Sequence, residues 1–315
     1  MTNWTTNDIP DLSGRSMIIT GTGGIGFETA VALAQAGAEV VVAGRNPASG
    51  AEAIKRVRAR VPSAQVAFEQ LDLADLRSIA AFGERLSTTR ESLDVLINNA
   101  GVMAPPTKRF TSDGFELQFG TNFLGHFALT GHLLTLLRKG TRPRVVSLGS
   151  IAANGGAIDF QNLNAERAYK PMVNYSQSKL ACVMFAFELQ RRSDAAGWGI
   201  DSIAAHPGVS RSDLILNSAG RWDFSRLMRS SLPFLFQPVA QGALPSLYAA
   251  TSPNAQKGGY YGPDRLSETR GHPVAAKIVD RAKDREVAAR LWREAERMTG
   301  LSFSHMATAT SVSPL

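Results

Sequence analysis

The residues best suited to chemistry in this sequence are Tyr175 and Lys179, which form a Tyr-x-x-x-Lys spacing. Two residues four positions apart lie on the same face of an α-helix, one turn from each other. An ammonium group beside a phenol favours the phenolate, so the pair predicts a proton donor and acceptor that works near neutral pH. Lowering a tyrosine pKa from about 10 to about 7 takes about 4 kcal/mol. Because one lysine does not supply all of this, we expect a bound cofactor cation to contribute.

A glycine-rich stretch near the N-terminus predicts a phosphate-binding loop. Gly21, Gly23 and Gly26 have the spacing G-x-G-x-x-G, between a buried strand at 17–20 and a helix at 27–36. Such glycines permit a tight turn and let backbone N–H groups approach a pyrophosphate at the positive end of the helix. The predicted cofactor contacts in this loop are Gly21, Thr22, Gly23, Gly24, Ile25 and Gly26.

The second predicted strand, 40–43, is followed by Gly44, Arg45 and Asn46. An acidic residue here would bind the ribose hydroxyls of NAD, whereas a guanidinium group binds a 2′-phosphate with forked hydrogen bonds. The sequence therefore predicts NADP(H) rather than NAD(H). The alternative is that Arg45 is only a solvated loop charge.

Short β-branched runs alternate with helical patterns, which predicts an α/β fold: a single Rossmann-type doubly wound, mainly parallel seven-stranded sheet with helices on both faces, over residues 1–301. Ligands bind at the carboxyl ends of such strands. The residues predicted there are Asp72 and Leu73 after the third strand, Asn99, Ala100 and Gly101 after the fourth, Ser150 after the fifth, and Pro207 and Gly208 after the sixth. Asp72 either faces an adenine edge or caps the next helix.

Composition narrows the class of protein. The 315 residues are 44% hydrophobic and 19% charged, enough for one large domain. No apolar run reaches a membrane span of about 18 residues and no signal peptide is visible, so we expect a cytoplasmic protein. The net charge of +7 comes from dispersed arginines, which argues against a nucleic-acid partner.

We predict a buried structural thiol at Cys182, structural roles for His126 and His132, and no metal site.

The segment from 210 to 237 breaks the alternation and mixes apolar residues with arginines, which is typical of a lid over a substrate. A subunit interface and a membrane contact are the alternatives. Residues 302–315 are rich in Ala, Ser and Thr and are expected to form a disordered tail.

Taken together, these motifs resemble the short-chain dehydrogenase/reductase family, in particular its retinol dehydrogenase-like branch with soluble bacterial-type oxidoreductases. The resemblance runs from about Gly14 to Gly262. Its motifs are the glycine loop, Asn98-Asn99-Ala100-Gly101, Thr121-Asn122-Phe123-Leu124-Gly125-His126-Phe127, Ser150, Tyr175 with Lys179, and His206-Pro207-Gly208-Val209. The glycine loop is one residue shorter than the family's usual T-G-x-x-x-G-x-G. The usual pair of serines is Gly149-Ser150, which leaves Ser150 as the expected catalytic serine and Ser147 as a weaker candidate.

The resemblance implies a role for each matching residue. Tyr175 is the general acid/base, Lys179 lowers its pKa and binds the nicotinamide ribose, and Ser150 binds the substrate oxygen. Asn122 positions a water in the proton relay to Lys179. The remaining implied contacts are Pro207, Gly208 and Val209, beside the nicotinamide, and Ser212, near its amide or the pyrophosphate.

The expected function is an NADP(H)-dependent oxidoreductase that interconverts a carbonyl and an alcohol on a small lipophilic substrate. One alternative is reduction of a conjugated C=C bond with the same Tyr/Lys pair. Another is a binding protein that senses NADP(H) without turnover. A homodimer or homotetramer is expected.

Overall fold

The computed structural model describes residues 3–210 and 237–303. The predicted lid lies outside the described residues except at its two ends, and so does Ser212. Only the first two residues of the predicted tail are within them.

The described residues form one eight-stranded sheet in the order β3-β2-β1-β4-β5-β6-β7-β8. The strands are β1 (Ser16–Thr20), β2 (Glu39–Gly44), β3 (Val66–Gln70), β4 (Val95–Asn98), β5 (Arg144–Leu148), β6 (Asp201–Ala205), β7 (Tyr260–Arg265) and β8 (Arg270–Ala275). Neighbours from β3 to β7 pair in parallel, and β8 pairs antiparallel with β7. The Rossmann-type architecture is thus confirmed.

The sheet has one strand more than predicted. The additional strand, β8, contains Gly271 and Pro273, two residue types that are depleted in strands. An edge strand tolerates a proline because its outer backbone groups need no partner strand. The composition of this segment therefore does not indicate a strand, and β8 becomes favourable only through its pairing with β7.

Helices cover both faces of the sheet. They are α1 (Gly24–Gln35), α2 (Pro47–Arg60), α3 (Leu76–Thr89), α4 (Gly125–His132), α5 (Leu134–Arg138), α6 (Pro171–Ala196), α7 (Val239–Thr251) and α8 (Arg285–Thr299). One buried core joins the sheet to α1, α2 and α7, and the other joins it to α3, α4, α6 and α8. Cys182 of α6 is buried and free, as predicted, and burial raises the pKa of its thiol. Among the described helices, none is both long enough and apolar enough to cross a bilayer.

The strand order reverses at β1, which pairs with β2 on one side and β4 on the other. In an open parallel sheet the connections leave a crevice at this point, at the carboxyl ends of the strands. The glycine loop after β1 and Asn99 after β4 lie at this crevice, because the Asn99 Nδ2 atom donates to the Thr20 carbonyl at 2.7 Å.

The single helix predicted for 119–138 is divided. A π-helix at Phe119–Leu124 leads directly into α4, and α5 follows after Leu133. A π-turn adds one residue to a turn and redirects side chains, and such turns occur often at functional sites. Hydrophobic periodicity did not indicate it, because all six residues of the π-helix are buried.

Candidate active site

Tyr175 and Lys179 both lie on α6, and only 5% of each residue is exposed. Pro171 begins the helix at a position where no backbone donor is needed, and the Asn174 Oδ1 atom accepts from the backbone N–H of Lys170. The Lys179 Nζ atom donates to the main-chain oxygen of Leu148 at 2.9 Å. The lysine is therefore held between α6 and the end of β5.

The catalytic cavity, as we name it, has a volume of about 250 Å³ and contains Tyr175, Lys179 and Ser150 together. It is lined by Ile25, Asn99, Met103, Leu148, Gly149, Ser150, Ile151, Ala152, Met172, Tyr175, Lys179, Pro207, Gly208, Val209 and Ser210. Three of the four predicted catalytic side chains thus share one cavity, at the carboxyl ends of β5 and β6.

Ser150 follows β5 and caps the short 3₁₀ helix Ile151–Gly155, where its Oγ atom accepts from the Ala152 N–H at 3.2 Å. Its hydroxyl proton is left to donate to a ligand oxygen. A Cβ atom at Gly149 would lie 2.7 Å from the Val183 side chain, which explains why a second serine is not accommodated there. Ser147 is 2% exposed and does not line the cavity, which leaves Ser150 as the accessible hydroxyl.

The fourth predicted residue, Asn122, lies behind the cavity in the π-helix and is fully buried. Its Oδ1 atom accepts from the Val102 N–H at 2.8 Å, and its Nδ2 atom donates to the Val102 carbonyl and to Ser178 Oγ, each at 2.9 Å. A Cβ atom at Gly101 would lie 3.1 Å from Asn122 Oδ1 and 3.6 Å from Lys179 Nζ. Asn122 therefore fixes the segment after β4 beside the lysine, while its part in a water relay stays a prediction.

The glycine loop leads from β1 into α1, with Gly23 as the N-cap of the helix. A Cβ atom at Gly26 would lie 2.5 Å from the Gly21 carbonyl oxygen, so the loop is too tight for any side chain there. The first N–H groups of a helix have no intrahelical partner and point towards a ligand at its N-terminus. The shortened loop still presents these donors at the crevice.

A second cavity, which we name the adenosine cavity, has a volume of about 480 Å³. It is lined by Gly21, Thr22, Ala43, Gly44, Arg45, Asn46, Ser49, Leu71, Asp72, Leu73, Ala74, Ala100, Gly101, Val102 and Thr121. In the described part of the chain, the exposed Arg45 side chain has no acidic partner within ion-pair distance. Asp72 lines this cavity, as its predicted role at the adenine requires. Its other predicted role, capping α3, is wrong: Asp75 is the N-cap and accepts from the Arg77 and Ser78 N–H groups, while Asp72 accepts from the Ala74 N–H, before the helix.

The two cavities adjoin along shared segments. Gly21 and Thr22 line the adenosine cavity and Ile25 of the same loop lines the catalytic cavity. After β4, Ala100 and Gly101 line the first cavity and Asn99 lines the second. A dinucleotide needs two sites joined by a pyrophosphate cradle, and the glycine loop lies where the two cavities meet. The residues present therefore fit a nicotinamide dinucleotide.

A buried hydrogen-bond chain connects the ends of β1 and β4 to the π-helix. The His126 Nδ1 atom lies 2.9 Å from the Asn122 carbonyl oxygen, an acceptor, so Nδ1 carries the ring proton. Nε2 then accepts from the Thr20 hydroxyl at 2.9 Å. The same hydroxyl oxygen accepts from the N–H groups of Asn99 and Ala100. Burial is the main cause that lowers the pKa of His126 to about 4, and the charge of Lys179 acts in the same direction, so the ring is neutral at pH 7.

Several residues of the site were not found from the sequence. Met103 and Met172 line the catalytic cavity, and Ser49 and Thr121 line the adenosine cavity. Met172 lies three positions before Tyr175 on α6, so helical spacing could have indicated it. Met103 lies in an irregular segment after β4, for which the sequence carries no comparable signal.

Comparisons with known proteins agree with this geometry. The family model described as short chain dehydrogenase matches residues 15–219. The chain therefore belongs to the short-chain dehydrogenases, and it is an oxidoreductase acting between CH–OH and C=O groups. Members of this family bind a nicotinamide cofactor.

Particular relatives extend the match to nearly the whole chain. Retinol dehydrogenase 13 of Mus musculus is 39% identical over 306 residues, covering 93% of this chain and 86% of the relative. Polyprenol dehydrogenase of Mus musculus is 39% identical over 298 residues, with the same two coverages. A crystal structure of a putative uncharacterized protein from Mycobacterium Paratuberculosis is 38% identical, with a TM-score of 0.79, covering 96% of this chain and 99% of that one. The resemblance to the retinol dehydrogenase-like branch is thus confirmed.

Proposed function

We propose that the protein is an NADP(H)-dependent oxidoreductase that interconverts a carbonyl and an alcohol on a lipophilic substrate. The observation that carries the proposal is the convergence of Tyr175, Lys179 and Ser150 on one cavity that adjoins the glycine loop. A cavity with a proton donor, a cation and a hydroxyl beside a dinucleotide site has the groups that carbonyl reduction requires.

Each residue has a defined role in this chemistry. Bound nicotinamide supplies or accepts the hydride. Tyr175 gives a proton to the carbonyl oxygen during reduction and takes it back during oxidation. The Ser150 hydroxyl donates a hydrogen bond to the same oxygen, where negative charge develops in the transition state. The Lys179 ammonium places a positive charge one helical turn from Tyr175 and, through its remaining protons, would bind the nicotinamide ribose.

The preference for NADP(H) rests on Arg45. Arg45 lines the adenosine cavity after β2, where the ribose of a dinucleotide lies in this fold. Ser49 adds a hydroxyl to the same lining, and the N–H groups of Ala48 and Ser49 are already capped by Asn46 Oδ1. Arg45 thus offers the charge for a 2′-phosphate, and no acidic side chain directly follows β2 to repel it.

The proposal of a lipophilic substrate rests on the residues that line the catalytic cavity. Met103, Ile151, Met172 and Val209 give the cavity an apolar surface, and methionines adapt well to irregular apolar ligands. Met172 is 47% exposed, which places an apolar side chain at the opening of the cavity. The names of two relatives, retinol dehydrogenase and polyprenol dehydrogenase, support a long apolar alcohol or aldehyde.

The test is a panel of lipophilic aldehydes, ketones and alcohols, with NADPH or NADP⁺ followed by absorbance and the same panel repeated with NADH or NAD⁺. We expect turnover of at least one apolar aldehyde or alcohol, with NADP(H) preferred. Product analysis on a conjugated enone separates carbonyl reduction from C=C reduction. Tight NADPH binding with no turnover across the panel would instead support the sensing role. A cytoplasmic location and a homodimer or homotetramer stay predictions.

A further inference from the structure

The wall of the catalytic cavity formed by Pro207, Gly208 and Val209 is supported from behind by the β7–β8 hairpin. The Val209 N–H donates to the Thr269 carbonyl at 2.8 Å. Gly208 has a φ of +64°, and a Cβ atom at this position would collide with the same carbonyl. The backbone of the wall therefore lies directly on the tip of the hairpin, with no side chain between them.

An imidazole and a carboxylate join the two segments. The Gly208 N–H donates to His206 Nδ1 at 3.3 Å, so Nδ1 is an acceptor and the neutral ring carries its proton on Nε2. Nε2 lies 3.1 Å from Glu268 Oε2 and donates to it. The His206 side chain is 1% exposed and that of Glu268 is 23% exposed. Each nitrogen of His206 thus has one fixed partner, one in the wall and one in the hairpin.

Glu268 is held at both of its oxygens. Its Oε1 atom accepts from the Lys277 N–H at 2.6 Å, while Oε2 binds His206. The hydrogen bond from His206 is the main cause that holds the pKa of this carboxyl below its usual range, with the N–H and charge of Lys277 acting in the same direction. Glu268 is therefore a carboxylate at neutral pH.

The hairpin tip is itself unusual. Leu266, Ser267 and Glu268 have φ values of 48°, 54° and 65°, three successive non-glycine residues in the left-handed region. Residues other than glycine rarely adopt this region, because their Cβ atom comes too close to the following carbonyl oxygen. The contacts of Glu268 with His206 and of Thr269 with Val209 offset part of the cost of this conformation, so the shape of the tip depends on its contact with the site.

Gln237 makes a second connection between the same segments. Its Nε2 atom donates to the Pro207 carbonyl at 2.6 Å, and its Oε1 atom accepts from the Gly271 N–H at 3.1 Å. Its own N–H donates to the Val209 carbonyl at 3.0 Å. The residue is fully buried, so one side chain amide links β8 to the wall without competition from water.

We propose that His206, Glu268 and Gln237 are positioning residues that hold Pro207–Val209 at the nicotinamide end of the bound cofactor, so that the β7–β8 hairpin sets cofactor affinity without touching the cofactor. The inference rests on the proposed function and on the predicted position of Pro207, Gly208 and Val209 beside the nicotinamide. It assigns a task to the one strand that the sequence did not reveal.

The test compares two ligands that occupy different parts of the site. NADPH spans both cavities, whereas adenosine 2′,5′-bisphosphate occupies only the adenosine cavity. We expect Glu268→Ala to raise the Kd of NADPH about tenfold, the equivalent of 1.4 kcal/mol, and to leave the Kd of the bisphosphate unchanged. Glu268→Gln keeps one acceptor oxygen and should give an intermediate Kd. Glu91→Ala, which removes an exposed carboxylate before β4, is the control and should bind both ligands as the wild type does.

A double-mutant cycle sharpens the test. His206→Asn keeps an acceptor for Gly208 but is too short to reach Glu268, so we expect its effect and that of Glu268→Ala to overlap rather than add. Equal NADPH affinity of Glu268→Ala and the wild type would overturn the inference. Equal loss of both ligands would also overturn it, because that result shows general destabilisation. A wild-type protein that binds neither NADPH nor NADH would instead contradict the proposed function.

Discussion

The Lys179 ammonium group donates a hydrogen bond to the carbonyl oxygen of Leu148, the last residue of β5. The bond places the Lys179 charge at the carboxyl end of β5, the strand that leads to Ser150. Lys179 and Tyr175 lie on the same helix, α6. The positions of the three groups thus depend on one junction between β5 and α6. The Tyr-x-x-x-Lys spacing predicts only the helical part of this arrangement.

Replacing Lys179 with methionine should lower turnover at pH 7 about 100-fold or more, because proton transfer by Tyr175 loses the neighbouring positive charge and the nicotinamide ribose loses a hydrogen-bond donor. In alcohol oxidation, where Tyr175 accepts the proton, the rate should recover in part at alkaline pH, whereas carbonyl reduction should not recover. A pH–rate profile of the purified variant measures both effects. Lys139→Met, at an exposed position before β5, is the control. A profile identical to that of the wild type would contradict the role of Lys179.

Replacing Arg45 with alanine should raise the KM for NADPH about tenfold or more and leave the KM for NADH almost unchanged, since only NADPH carries the 2′-phosphate. Arg45→Lys should recover part of the affinity as a point charge. The control is Arg77→Ala, which removes a guanidinium whose side chain is 87% exposed. If Arg45→Ala affects both cofactors equally, or neither, Arg45 does not select NADP(H).

Replacing Gly26 with alanine should weaken binding of either cofactor about tenfold or more. The new methyl group would lie 2.5 Å from the Gly21 carbonyl oxygen, so the loop must open and its N–H groups must move. Titration of NADPH by its fluorescence measures the effect. Gly155→Ala is the matched control, because nothing lies within 4 Å of a Cβ atom there. Unchanged NADPH binding by Gly26→Ala would show that the loop is not the cradle.

Because His126 is buried as a neutral imidazole, the free energy of unfolding should depend on pH. The pKa of this imidazole is about 4 in the folded protein, compared with 6.5 for an unperturbed histidine. Below pH 6.5 the unfolded chain therefore binds a proton that the folded protein does not. The free energy of unfolding should fall as the pH decreases from about 6.5 to about 4, by up to about 3 kcal/mol.

Urea unfolding at a series of pH values measures this slope. His126→Asn should be less stable than the wild type at pH 7 but show a flatter dependence between pH 6.5 and 4. His272→Asn, which leaves His126 in place, should retain the wild-type slope. The same slope in His126→Asn as in the wild type would assign the effect to other groups.

Much of the fold follows from local patterns. β1 and α1, with the glycine loop between them, lie within a few residues of their predicted positions, because buried β-branched runs and helix starts are encoded locally. The sequence did not predict β8, whose Pro273 becomes favourable only by pairing at a sheet edge. It also did not predict the π-helix around Asn122, because all six of its residues are buried and their hydrophobicity does not distinguish a π-turn from an α-turn.

In the candidate site, too, some features are encoded locally and others depend on tertiary packing. Tyr175 was predicted from its spacing to Lys179, and Ser150 and Arg45 were predicted from their positions after strand ends. The connections that fix them were not found: Lys179 with Leu148, Asn122 with Val102, and His206 with Glu268, the last of which is separated by 62 residues. Such contacts depend on tertiary packing, and one sequence carries no periodic signal for them.

The most direct test of the proposed mechanism is a comparison of Tyr175→Phe with the wild type on an apolar aldehyde that the wild type reduces. The variant lacks only the phenolic oxygen, so the Kd of NADPH and the melting temperature should change little. Turnover should fall at least about 1000-fold, since no other group at that position can transfer the proton. Turnover within tenfold of the wild type, with NADPH binding intact, would contradict the assignment of Tyr175 as the general acid/base.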